Sequence, residues 1–280
     1  MMTALFYLLN VACSAGQSAL GKHYAVNGGK ASVFNINKAL SGAVVFLVFG
    51  LVGGLSFHIP TLLFGLGYGV CLCISMYSGF KALSMGPMAL TSIIASFSLI
   101  IPFIFGLTLW GEELSAYAAV GMLFLAASII LLNLKGLGGE VSLKWSLHAF
   151  LTLLANGICS LVQKQHQRLY PGQFRGEFML AALLCVLLIL TVSGMVRHGE
   201  ERRFKPCPSG IISGIMNGGA NYIVLYLSAT EKASVLFPMV SVANVIAVWL
   251  LSMIVFKERL RPPQMIGLAS GILSMILLNV

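Results

Sequence analysis

No aspartate occurs in the 280 residues, and all eight acidic residues are glutamates. They stand at positions 112, 113, 140, 177, 200, 201, 231 and 258, each between long apolar runs or at the end of one. A transporter that exchanges cations for protons usually keeps a buried carboxylate serving both. The lack of one disfavours cation–proton antiport and favours neutral, zwitterionic or anionic cargo. Charge of either sign is scarce, at 9% of residues against 58% hydrophobic. A soluble domain carries about 25% charged residues, so this chain cannot cover itself with a water-facing surface. No glycine-rich loop ending in lysine is present, and the short connections exclude a nucleotide-binding domain. Cofactors are therefore expected to be none. Five of the six cysteines (Cys13, Cys71, Cys73, Cys159, Cys185 and Cys207) fall in apolar runs and read as small hydrophobes. A disulfide framework and a metal site are both disfavoured. No basic residue precedes the first run, so it reads as a permanent span and not as a cleaved signal.

Apolar length fills the rest of the chain. Ten segments approach the roughly 20 residues needed to cross a bilayer. They run over 3–21, 31–55, 60–80, 87–110, 116–134, 146–165, 176–196, 208–228, 233–256 and 262–280. Backbone polar groups in lipid must bond within their own segment, so the spans are helices. The expected fold class is an all-α polytopic membrane protein. The net charge of +9 reflects basic residues between spans, and no nucleic-acid partner is expected. Loops on the side of the N-terminus hold Lys164, Arg168, Arg175 and Lys232, whereas the opposite loops hold twelve of the 17 Lys and Arg. The positive-inside rule puts the richer side in the cytoplasm and both termini outside.

The chain also repeats itself. Asn10, Cys13, Ser14, Gln17 and Tyr24 recur as Asn156, Cys159, Ser160, Gln163 and Tyr170 at a constant offset of 146. Pro60 matches Pro206, Glu112 matches Glu258, and "SIILLN" at 128–133 faces "SMILLN" at 274–279. Residues 1–134 form a first five-helix repeat, 135–146 a connecting loop, and 147–280 a second repeat. An odd number of spans per unit inverts the second unit relative to the first. Ten transmembrane helices as two inverted five-helix repeats are a transporter signature, with the site near the midplane between them.

Polar residues inside the spans supply the candidate site. Asn10, Ser14 and Gln17 share one helix face, as do Asn156, Ser160 and Gln163. They either line a cavity or hydrogen-bond neighbouring helices. "NGGANY" (217–222) adds Asn217, Asn221 and Tyr222, with glycines that admit close backbone approach. The aligned third span has "GLGYG" (65–69), Ser75 and the further candidate Tyr77. Pro102, Pro238, Ser92, Ser96, Ser241 and Asn244 mark the fourth span and its partner as kinked and polar. Lys38 lies about 10 Å into the second span, at 1.5 Å per residue. It is either a snorkelling anchor or a cavity cation for a carboxylate or phosphate, helped by Asn35 and Asn37.

Each half closes its fourth span with a glutamate, in "LWGEELS" (109–115) and "VFKERLR" (255–261). With ten spans and the inverted repeat, the chain resembles the EamA-like branch of the drug/metabolite transporter superfamily. That family commonly ends the fourth span in Gly–Glu; Gly111–Glu112 fits, and Lys257 replaces the glycine in the second copy. The resemblance implies a bundle in which spans 1–4 and 6–9 enclose a cavity while spans 5 and 10 lie outside. It implies a secondary carrier that uses no ATP, working by alternating access on an amino-acid-like or similar small polar metabolite. The alternatives are a lipid-linked-sugar flippase or a multidrug exporter of the same superfamily, and more distantly an integral membrane enzyme. Expected partners are a small-molecule substrate and the lipid bilayer, with the chain a monomer or homodimer in the cell inner membrane.

Overall fold

The computed structural model describes residues 2–86, 91, 94–95, 97–113, 115–132, 142–196, 205–256 and 262–277. Among these residues there are ten α-helices and no strand. They are α1 (Met2–Val26), α2 (Ala31–Gly53), α3 (Ile59–Met85), α4 (Ile100–Thr108), α5 (Ala116–Leu132), α6 (Leu143–Leu169), α7 (Arg175–Val196), α8 (Pro208–Thr230), α9 (Ala233–Phe256) and α10 (Pro262–Leu277). By length and composition, α2, α3, α6 and α7 suffice to cross a membrane. Helices α1 and α8 are as long, but Asn10, Ser14 and Gln17 in one and Ser213, Asn217 and Asn221 in the other dilute their apolarity.

Local chemistry sets the helix ends. Pro208 opens α8, where its missing N–H costs nothing, and the Cys207 sulfur accepts from Gly210 N at 3.4 Å. The Ser142 hydroxyl accepts from Trp145 N at 3.2 Å and caps α6. The fourth span is less regular than the expected 87–110 helix. A 3-10 turn at Phe97–Leu99 leads into α4, with Pro102 in its first turn. Pro102 has no N–H for the Ser98 carbonyl, so the ladder breaks where the proline falls. Pro238, in contrast, sits inside an uninterrupted α9. Ser92, Ser96 and Glu258 lie outside the described residues, as does the 135–146 connection up to residue 141.

Helix directions follow from side-chain contacts. Lys22 Nζ near the end of α1 donates to Leu83 O near the end of α3 at 2.8 Å, so these helices run parallel. Helix α6 runs against α3, because Thr61 meets His166 and Ser75 meets Asn156. Helix α8 likewise runs against α1, with Asn10 bonded to Ala220 and Gln17 to Asn217. Two interfaces are unusually close. A Cβ on Gly69 of α3 would lie 2.6 Å from Ala182 O of α7, and one on Gly214 of α8 would overlap the Lys38 carbonyl of α2. Small residues that admit another backbone are the usual means of packing helices in lipid. In "NGGANY" the approach is weaker: Gly218 faces the Val45 side chain of α2.

Apolar side chains lie outside and polar ones inside. Val52 is 84% exposed and Leu123 72%, while Gln163 is 3% exposed. Water-soluble folds show the opposite, and the arrangement suits a lipid surround. Helices α5 and α10 pack chiefly on each other. Phe46, Phe178, Met179 and Leu183 form a buried core among α2, α3, α7 and α8.

Candidate binding cavity

A cavity of about 430 Å³ opens among α1, α2, α3, the stretch up to the 3-10 turn before α4, α6, α8 and α9. It takes its residues from the second half of α1 (Ser14 to Gly21), the first turns of α2 (Phe34 to Lys38), α3 from Tyr68 to Leu83, and the middle of α8 (Asn217 to Val224). The α1, α2 and α3 stretches lie toward the end of the bundle where α1 passes to α2, and α6 and α8 contribute their middles. Leu72, Met76, Phe80, Phe237 and Val240 give it apolar walls, between which amides and hydroxyls are set. Its volume suits a metabolite-sized ligand.

Eight of the eleven residues singled out from sequence line this cavity: Ser14, Gln17, Lys38, Asn156, Ser160, Gln163, Asn217 and Asn221. The amides are joined to one another. Asn217 Nδ2 donates to Gln17 Oε1 at 3.0 Å, linking α8 to α1. Asn221 Nδ2 donates to Asn217 O at 2.9 Å within α8. Tyr68 Oη donates to Asn221 Oδ1 at 3.1 Å, carrying the chain to α3. The Ser75 hydroxyl donates to Asn156 Oδ1, and Gln163 Nε2 reaches Asn221 O at 3.5 Å. Four helices from both halves thus meet through exchangeable hydrogen bonds in an apolar setting, where each unmet polar group would cost roughly 2 kcal/mol or more.

The other three residues stand elsewhere. Asn10 is 1% exposed, and its amide donates to Ala220 O at 2.9 Å, clipping α1 to α8 behind the cavity. Tyr222 stacks on Phe49 of α2, with ring centroids 4.9 Å apart. Tyr77 packs beside Phe34 and Phe80, with Lys81 Nζ 5.9 Å from its ring. Of the residues named beside Lys38, Asn35 lines the cavity and donates to Met76 O at 3.2 Å. Asn37 instead donates to Lys205 O at 3.0 Å and accepts from Cys207 N at 3.2 Å, tying α2 to the entry of α8.

Tyr68 was not singled out by sequence reasoning. The signal existed, since Tyr68 and Ser75 are two turns apart on one face of α3. Ser98, Ser241 and Asn244 also line the cavity. Beyond its Tyr68 end the helices are joined by further hydrogen bonds. Lys164 Nζ donates to Ser228 O at 3.0 Å and to Glu231 O, joining α6 to the end of α8. Thr61 Oγ1 hydrogen-bonds His166 Nε2 at 3.1 Å and His58 Nδ1 at 2.9 Å, joining α3 to α6. Glu112 carboxylate oxygens accept from the first N–H groups of α9.

The EamA-like transporter family matches residues 143–280, which comprise α6 to α10. No curated protein matches the chain. A solved crystal structure, described only as that of a protein, is similar over 99% of this chain and 96% of its own, with a TM-score of 0.76 at 15% identity. Such an identity speaks for the fold alone. Apolar helices around a polar interior, joined to that family match, make this chain a polytopic membrane protein with an EamA-like transporter family domain, consistent with the drug/metabolite transporter superfamily.

Proposed function

We propose that the chain is a secondary carrier of a small polar organic metabolite, working by alternating access in the cytoplasmic membrane. The observation that carries this reading is the cavity, where amides from α1, α6 and α8 converge between apolar walls. Selectivity for polar solutes follows, because a cargo lacking hydrogen-bonding groups would strand those amides.

The helix pairings support an inverted repeat. Exchanging α1 to α5 with α6 to α10 turns the α3–α6 contact into α8–α1, α2–α8 into α7–α3, and α1–α9 into α6–α4, and each of these is a contact in the fold. Helix α1 runs parallel to α3 and α6 runs against α3, so α6 runs against its counterpart α1. The cavity lies on the side of the α1–α2 connection. The order of the spans assigns twelve of the 17 basic residues to that side, an expectation that supports a cytoplasm-facing state. In the opposite state the ties at Lys164, Thr61 and Glu112 open while the cytoplasmic end closes.

The test is transport by purified protein in proteoliposomes, with candidate solutes drawn from a thermal-shift screen of metabolites. Saturable counterflow is expected, and weaker substrate affinity in Gln17→Ala and Gln163→Ala. Flux that never saturates would make the protein a channel. Unchanged affinity in both variants would remove the site.

A further inference from the structure

Among the described residues that line the cavity, Lys38 is the one charged residue. Among the described residues nothing forms a hydrogen bond or ion pair with its ammonium group. The described glutamates stand at the other end of the bundle and are engaged or looped out there. Glu112 caps α9, Glu177 Oε1 accepts from Ser56 N at 2.9 Å, Glu231 ends α8, and Glu113 lies in the loop after α4. A snorkelling lysine would run along the lipid face to the interface; this one lines the interior instead.

The surroundings of Lys38 are arranged for a ligand with one charged end. Its backbone abuts Gly214 of α8 so closely that no side chain fits between. Asn217 and Asn221 follow Gly214 by three and seven residues, on the same helix face. Gln17 of α1 is bonded to Asn217, and Asn35 stands one turn before Lys38 on α2. The corner where α1, α2 and α8 meet therefore holds one cation among amides that both donate and accept. Leu72, Met76 and Phe80 of α3 provide apolar wall in the same cavity. A half-buried ammonium facing this hollow is a fixed positive charge that an anionic group can pair with through a charge-assisted hydrogen bond.

We propose that Lys38 is the anion subsite of this cavity, and that the cargo carries a carboxylate or phosphate group which supplies the missing counter-charge. This rests on the carrier reading and narrows it to organic anions and to zwitterions bound through their acid group. The amides take the remaining polar groups of the cargo. Loading neutralises Lys38, so the occupied cavity passes through the closed state more readily than the empty one.

The experiment uses the purified full chain and thermal shift with matched probes. N-acetyl-leucine and lactate are compared with their carboxamides, and butyl phosphate with butanol. Wild type is expected to be stabilised by acids and not by their neutral partners. Carboxylates acting alone identify the group as carboxylate, and butyl phosphate acting alone identifies it as phosphate. Lys38→Gln should weaken acid binding by about tenfold or more, as expected for a lost charge-assisted contact, while Lys38→Arg keeps it. Gel filtration and the ligand-free melting temperature check that both variants fold. If Lys38→Gln does not fold, the acid-against-amide preference of wild type and its persistence in Lys38→Arg still decide. Equal stabilisation by acid and amide, or unchanged acid binding in Lys38→Gln, overturns the proposal while leaving the carrier intact. Binding of neutral or cationic metabolites alone, from a wider screen, overturns it as well. Absence of binding by any solute, together with absence of counterflow, sinks the carrier reading itself.

Discussion

Glu112, which follows the last turn of α4, holds the first residue of α9 across 121 positions of sequence: its Oε1 accepts from Ala233 N at 2.9 Å, and its Oε2 accepts from Ser234 N at 2.9 Å. A carboxylate on two free N–H groups at a helix start satisfies orphan donors and complements the helix dipole. Gly106 makes room for it, since a Cβ there would lie 2.7 Å from Glu112 Oε2. The glutamate of the fourth-span motif thus has a mechanical role in joining the end of α4 to the start of α9.

Removing that tie should loosen this end. Glu112→Ala is expected to cost about 1 kcal/mol, the usual value of a lost N-cap, read as a lower melting temperature in detergent. It should also raise labelling of a cysteine placed at Ser234 by a membrane-impermeant maleimide, because the face opens more often. Equal labelling with and without Glu112 would show that the contact holds nothing shut.

Gln17 and Asn217 share one hydrogen bond, so their deletions should not add. Gln17→Ala and Asn217→Ala, measured alone and together for substrate affinity, are expected to show a coupling of about 0.5 kcal/mol or more. Additive losses would mean that the two amides meet the cargo independently.

Asn10 and Asn156 match at the sequence offset of 146 but occupy different places. Asn156 lines the cavity with Ser75, whereas Asn10 faces the Ala220 carbonyl outside it. Asn156→Ala should weaken substrate binding. Asn10→Ala should lower stability by about 1 kcal/mol and leave affinity unchanged. Binding assays on both variants check this, and equal affinity losses would contradict the assignment.

Two glycines of "GLGYG" separate packing from permissiveness. A Cβ on Gly69 meets the α7 backbone, while one on Gly67 meets nothing within 4 Å. Gly69→Ala should destabilise by about 1–3 kcal/mol through overpacking. Gly67→Ala should be neutral or stabilise by up to about 1 kcal/mol from helix preference. Thermal melts of the pair test the α3–α7 interface without any knowledge of the substrate.

Much of the fold was legible from residue spacing. The helices fall close to the expected segments because apolar length, prolines and glycines at the ends act locally. Pro208 starts α8, and Pro102 stands where the fourth span breaks. The polar stripes were legible as faces, since residues three, four and seven apart must share one. Their destinations were not. Nothing local distinguishes Asn10 from Asn156, or tells that Tyr222 stacks on Phe49 while Tyr68 reaches Asn221. The two glycines of "NGGANY" invited a close contact, yet the tightest approach of α8 falls at Gly214, one turn earlier.

Composition and periodicity alone determined that this chain is helical, lies among lipid and carries polar residues on chosen helix faces, because those properties depend on neighbours within a few residues. The tertiary structure decided which of those faces enclose space and which meet another helix. That choice depends on how closely backbones approach at Gly69 and Gly214, and on pairings such as Glu112 with Ala233 that join distant parts of the chain. Whether Lys38 reaches lipid headgroups or an interior hollow was settled in the same way, by the packing of α2 against α8.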